Sequence, residues 1–521
     1  MTATMPDHQR VRQQAGKRTF SRRAMLCSAT ATTLSLAGGA RLHDTSAQTP
    51  VANSALGELQ QRLNGTLLLP DDSGFQPANT PANRRYQEVI PTAIARCADE
   101  ADVIASVQWC VENGVEPVVR GGGHSFAGYS TTTGLLIDLR GLSGVTLDPA
   151  AGTMTVGGGA TNAQVFATLD GRPHFLPVGT SPTVGIGGLT LGGGIGPNTR
   201  WAGLTCDHLQ QTRIVTANGE PLDASSSQHS DLFWALRGGA GGSFGVNTSF
   251  TFDLVEVPTK PVTNFSVTWR GADAAGLVIR AFQALMQQAP PEFGAAVVII
   301  PLDPDEAGKR RGIDVSLDGH FIGGESDLQD LLTPLLEVKT PPIKQEIAAI
   351  PFWASQRRLL EPEAEAHAFT DISRYANAPL PDDVIQQIVD QLVNCPHRTD
   401  AAHGMLTLFG WVGGTLTQTA RDATAYVHRD MTALWRPGAA WSPEAPSSVS
   451  DELSAWSREV AGLIAPHTPN ESYQNFPNRE IVDWQQQYYA ENFQRLTEVK
   501  AAYDPGNVFH NAQSIPVSLS T

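Results

Sequence analysis

Seven glycines fall within the fourteen residues 183–196, in the run Thr-Val-Gly-Ile-Gly-Gly-Leu-Thr-Leu-Gly-Gly-Gly-Ile-Gly. Such a run makes a poor helix and a poor central strand, since each glycine loses much backbone freedom on folding and offers no side chain to pack. It reads instead as loop backbone that closely approaches something else. Two further clusters repeat the theme. Val118-Val119-Arg120 runs into Gly121-Gly122-Gly123 and then His124-Ser125. Asp231-Leu232-Phe233-Trp234-Ala235-Leu236-Arg237-Gly238-Gly239 precedes Gly241-Gly242-Ser243-Phe244-Gly245-Val246. Glycines after a strand let main-chain N–H groups face an anion without Cβ obstruction, which suits a pyrophosphate. No strand–GxGxxG–helix unit with a following acid is present, and no GxxxxGK[ST], which argues against nicotinamide-type and P-loop sites.

At 521 residues the chain is too long for one domain of roughly 150 residues. Its 41% apolar content supports large cores, and 17% charged residues, against a usual value of about 25%, exclude disorder for the bulk of the chain. An acidic balance, 52 Asp and Glu against 36 Lys and Arg, argues against a nucleic-acid partner.

Residues 1–47 read as a twin-arginine signal peptide. Arg22-Arg23 precedes a mildly apolar run, 24–40, too short and polar for a membrane span, and Thr45-Ser46-Ala47 offers a cleavage site before Gln48. The expectation is a secreted or periplasmic protein with no stable membrane anchor, served by the twin-arginine export machinery. Cys27 lies too early in the apolar run to mark a lipid anchor. Cys97, Cys110, Cys206 and Cys395 remain after cleavage, and their spacing shows no disulfide framework, so they read as buried thiols. Cys206-Asp207-His208 with His174 lacks paired ligand spacing, and no metal is expected.

Short β-rich runs at 118–120, 135–139, 153–156 and 211–216 alternate with glycine clusters, and 99–113 has helical periodicity. From about 259 the pattern changes to helices at 274–288, 326–337 and 382–394 interleaved with strands at 295–300, 313–321 and 404–412, an α+β arrangement. A last helix is expected near 484–502, stopped by Asp504-Pro505-Gly506.

Together 120–125, 183–196, Gly203-Leu204-Thr205-Cys206-Asp207, 231–239, Tyr473-Gln474-Asn475-Phe476 and the closing segment Tyr488-Tyr489 through Pro516 resemble the FAD-linked oxidoreductases of the vanillyl-alcohol oxidase type, in their berberine-bridge-enzyme-like branch. The resemblance runs from about 84 to the end. It implies a lead-in at 48–85, a two-lobed PCMH-type FAD-binding domain at 86–258, and a substrate domain at 259–465 with an antiparallel sheet covered by helices. A C-terminal segment, 466–521, would return to complete the flavin site.

The resemblance also implies one covalent link, from a His124 ring nitrogen to the 8-methyl carbon of FAD. Relatives with a second link use a cysteine where this chain has Ser181, whose hydroxyl cannot form the thioether. Arg120, Gly121, Gly122, Gly123, Ser125, Thr183, Gly185, Ile186, Gly187, Gly188, Thr190, Gly193, Gly194, Gly245, Val246, Asn475 and Asn492 would surround the cofactor. Ile186 resembles the position that gates oxygen in plant relatives. The implied reaction is hydride removal from a small organic substrate (alcohol, sugar, amine or aromatic natural product), with O2 or another acceptor reoxidising the flavin. The usual base is the second aromatic of a Tyr-x-Asn-Tyr motif, and here it is Phe476. Tyr473 and Tyr488 are therefore the candidate catalytic residues, with Trp353, His367, Tyr375 and Trp411 as candidate pocket residues. The departure at Phe476 also motivates an alternative, an exported flavin- or ligand-binding protein without efficient turnover.

Overall fold

A computed structural model describes residues 51–303, 312–361 and 367–519. Residues 1–47, and with them the expected signal peptide, lie outside the described residues. The described residues pack as one unit built on three main sheets.

The first sheet orders Thr66–Leu68, Ala93–Arg96, Leu135–Asp138 and Pro117–Arg120, with the last three strands parallel. The helix Glu100–Asn113 carries the chain from Ala93–Arg96 to Pro117–Arg120, and Leu135–Asp138 then fills the place between them. Asp99 caps its first turn by accepting from Asp102 N–H, and Gly114 ends it in the left-handed conformation at φ 63°. Val103, Val107 and Trp109 bury this helix against Ala95, Leu135 and Ile137. The lead-in is built into this layer, because its strand Thr66–Leu68 pairs with Ala93–Arg96. A second, antiparallel sheet orders Val145–Asp148, Thr153–Gly157, Val246–Asp253, Leu209–Val215 and Pro221–Ser225.

The third sheet is antiparallel and runs Lys344–Ile350, Val262–Arg270, Gly312–Phe321, Phe293–Leu302, Ala402–Gly410, Ala433–Trp441 and Ala368–Asp371. Helices Ala272–Met286, Glu325–Leu336, Asp382–Val393 and Ser447–Ile464 cover one face. Strand periodicity then decides what the other face carries. Leu406, Leu408, Ala433 and Trp435 point into the helix-covered core, while Phe409 and Leu434 point to the opposite side.

The C-terminal segment returns to the second sheet, where Trp484, Tyr488, Tyr489, Leu496 and Ile515 join its core. The single last helix expected at 484–502 is corrected. The chain forms Trp484–Tyr489, one tight turn at Ala490–Asn492, and Phe493–Tyr503. Ala490 sits at φ 41°, which breaks the helical path. Asn492 Nδ2 pins the break by donating to the carbonyls of Arg421 and Thr424. Among the described residues no helix is long and apolar enough to cross a membrane.

Candidate active site

The glycine loops, the third sheet's open face and the C-terminal segment enclose one cavity of about 470 Å3. Gly121, Gly122, Gly123, His124 and Ser125 line it, with Gly185, Gly187, Gly188 and Gly245 beside them. The two loops touch each other so closely that a Cβ on Gly122 would lie 2.2 Å from Gly185 N. A Cβ on Gly188 would meet no atom within 4 Å, so the cavity opens where a side chain would otherwise stand. This is bare backbone against open space, which fits a flat, anionic dinucleotide.

His124 Nε2 lies 2.8 Å from Thr183 Oγ1, and Nδ1 has no hydrogen-bond partner among the described residues. Burial lowers the ring's pKa to about 4, so the imidazole is neutral at ordinary pH. Ser181 also lines the cavity.

Tyr473 faces the cavity from the C-terminal segment. Its Oη accepts from Gly194 N–H at 3.0 Å, Ile195 N–H at 3.3 Å and Asn475 Nδ2 at 3.0 Å. Burial raises its pKa and these donors lower it, leaving it at about 12. Asn475 is fixed by a second bond, from Nδ2 to Leu189 O. Tyr488 lines the same cavity, its hydroxyl accepting from Asn478 N–H, and Tyr489 lines it too.

Several of the expected cofactor residues stand outside the cavity lining. Arg120 is buried away from the cavity, where it donates to the carbonyls of Ala78, Asn79 and Ser130 and so ties the loop's entry strand to the lead-in. Asn492 serves the helix break described above. Val246 and Ile186 pack into cores, and Thr190 Oγ1 donates back to Ile186 O, so none of the three lines the cavity. Thr183, Gly193 and Gly194 sit one layer behind. Thr183 holds His124, Gly194 serves Tyr473, and Gly193 leaves room for Tyr426. Of the candidate pocket residues, Trp411 lines the cavity, whereas Tyr375 donates or accepts behind it with Tyr426 and Trp353 Nε1 donates to Arg172 O elsewhere.

Sequence reasoning missed Arg436, Phe126, Phe369 and Phe409, all of which line the cavity. Alternation along 402–410 and 433–441 carried the signal, but only the sheet order says which face looks inward.

The FAD binding domain family model matches residues 91–225, and the model for berberine and berberine-like proteins matches 472–516. An uncharacterised FAD-linked oxidoreductase of Bacillus subtilis, YgaK, is 33% identical over 461 residues, covering 87% of this chain and 97% of that one. The chain belongs to the berberine-bridge-enzyme-like FAD-linked oxidoreductases. Among solved structures of this berberine-bridge-enzyme-like fold, 6-hydroxy-D-nicotine oxidase from Arthrobacter nicotinovorans aligns with TM-score 0.77 at 25% identity, covering 88% of this chain and 98% of that chain. A glucooligosaccharide oxidase from Acremonium strictum, described as carrying a 6-S-cysteinyl, 8α-N1-histidyl FAD, aligns with TM-score 0.77 at 26% identity, covering 90% and 100%. This berberine-bridge-enzyme-like chain is thus an FAD-dependent oxidoreductase.

Proposed function

We propose that the protein is an exported oxidase that dehydrogenates a small organic molecule, using FAD bound covalently through His124 alone. The observation that supports it most is the meeting of His124, the bare glycine loops and Tyr473 in one cavity. The bound flavin supplies the hydride acceptor, and O2 is the proposed final acceptor, reduced to hydrogen peroxide by the two electrons and two protons the substrate loses.

The chain's own residues do the rest. Thr183 engages Nε2 of His124 and orients the ring so that Nδ1 is left for the cofactor. Burial keeps that ring unprotonated and therefore nucleophilic. Ser181 offers no thiolate for a second link. Gly121, Gly122, Gly123, Gly185, Gly187 and Gly188 hold the cofactor through backbone. Tyr473 keeps its proton at neutral pH, because its pKa stands at about 12. With three N–H donors aimed at its oxygen, it turns that proton toward the cavity and positions a ligand atom by donating to it. Tyr488 is assigned to hold the 473–478 segment through Asn478.

The test is an anaerobic screen of alcohols, sugars, amines and phenols against the purified yellow protein. Bleaching of the oxidised flavin band, reversed by air with peroxide released, is the expected result. Failure of every class to bleach it would favour a flavin- or ligand-binding protein without turnover, a reading that Phe476 also motivates. Export is tested separately, by replacing Arg22 and Arg23 with Lys and measuring the secreted or periplasmic level, which should collapse.

A further inference from the structure

One end of the cavity is an aromatic box. Phe126 stacks on Phe476 at 4.8 Å between centroids, Phe369 meets Phe126 edge-on at 5.0 Å, and Phe409 packs against Trp411 at 4.5 Å. A single guanidinium enters it. Arg436 Cζ lies 5.1 Å from the Phe409 ring and 5.3 Å from the Phe476 ring, and no other Lys or Arg lines the cavity among the described residues.

The sheet register explains its place. Arg436 pairs across the strands with Thr407, two residues from Phe409 and on the same face. Asp371 pairs with Gly438 on the neighbouring strand, and a Cβ at Gly438 would lie 2.1 Å from Asp371 Oδ1. The missing side chain lets the carboxylate lean toward the arginine.

The arginine is ion-paired with Asp371 but makes few hydrogen bonds. Its Nε faces Asp371 Oδ1 at 3.4 Å, but neither atom makes a hydrogen bond among the described residues. Nη2 reaches Thr407 Oγ1 at 3.4 Å, and Nη1 has no partner among the described residues. A planar fork of donors set against the Phe409 and Phe476 rings, with its Nη1 edge unengaged, is suited to a carboxylate or another monoanion. Glu361, an acidic group lining the cavity, is engaged by Thr180 Oγ1.

We propose that Arg436 is the anion-recognising group of the substrate subsite, and that the substrate is a flat, largely apolar molecule carrying one carboxylate or equivalent anion. This rests on the flavin-oxidase reading for what happens to the substrate, but not for how it is held. Neutral sugars and unsubstituted alcohols are correspondingly poor fits, since the box gives them few hydrogen-bond partners.

The test is calorimetric titration of the purified holoenzyme with benzoate, benzamide and cellobiose, alongside Arg436→Gln and Arg436→Lys. Benzoate should bind about tenfold or more tighter than benzamide, the scale of one charge-assisted hydrogen bond, and cellobiose weakest. Arg436→Gln should bring benzoate and benzamide within about threefold, and Arg436→Lys should keep part of the preference. Equal binding by the unmutated enzyme, tighter binding of cellobiose, or a folded Arg436→Gln that keeps the preference would overturn the proposal. If Arg436→Gln does not fold, the unmutated benzoate-to-benzamide ratio decides alone. Flavin content is read separately by absorbance. A colourless protein that still prefers benzoate sinks the flavin reading and leaves this subsite standing, and a yellow one without preference does the reverse.

Discussion

His124 and Thr183 stand on two different glycine loops, and a 2.8 Å contact between Nε2 and Oγ1 joins them. The close approach of those loops at Gly122 and Gly185 makes the contact possible. A residue one layer behind the cavity therefore sets the direction of the ring in front of it.

Thr183→Val should leave flavin binding intact but lower the covalently held share. The loop keeps its shape because valine matches threonine in volume, while the ring loses its fixed orientation. The share is read as flavin colour in the acid-precipitated pellet against total flavin. Thr183→Ser should restore it. An unchanged pellet in the valine variant would remove Thr183 from this role.

Tyr473→Phe should slow flavin reduction by about 100-fold, the usual scale for losing a positioned proton donor or acceptor, with flavin content unchanged. Stopped-flow absorbance checks it. A drop under about threefold would mean that Gly194, Ile195 and Asn475 merely satisfy a packed phenol.

Lys500 is buried with Asp504, and its ammonium donates to Asp504 Oδ2 and to the carbonyls of Ser243 and Phe509, each at 2.6 Å. Asp504 in turn accepts from Val508 and Phe509 N–H. Lys500→Met strands that carboxylate, at a cost of about 3–5 kcal/mol. A clear fall in melting temperature and lower flavin incorporation are expected, since Phe509 and its neighbours line the cavity.

Asp371 gives a pH signature. Burial raises its pKa to about 6, only partly offset by Arg436. An acid whose folded pKa is raised binds more protons folded than unfolded, so its contribution worsens as pH rises from about 4 to about 6. Denaturant melts of the unmutated protein relative to Asp371→Asn should therefore lose about 2 kcal/mol between pH 4 and pH 7. A difference that stays flat, or grows with pH, would show that Arg436 holds the carboxylate more firmly than its geometry indicates.

How far the sequence could be read depended on whether an element's pattern was local. Glu100–Asn113 was legible because its cap, its periodic apolar face and its glycine stop all lie within sixteen residues. The glycine loops were legible as closely approaching backbone for the same reason. Arg120's side-chain direction was not legible, because its neighbours in sequence line the cavity while its own side chain reaches carbonyls some forty residues earlier. Arg436 was invisible because alternation marks two faces without saying which one meets a cavity, and its surroundings come from three strands and the C-terminal segment. The break at Ala490 was hidden because the residues around it suit a helix, and a tertiary contact through Asn492 overrides them.

The central claim is a single flavin bond at His124, and peptide mass analysis of the denatured, protease-digested mature protein tests it most directly. One peptide containing His124 should carry the FAD mass, His124→Ala should release all flavin on denaturation, and Ser181→Ala should release none. Flavin found on a cysteine-containing peptide, or free in the supernatant of the unmutated protein, would contradict it.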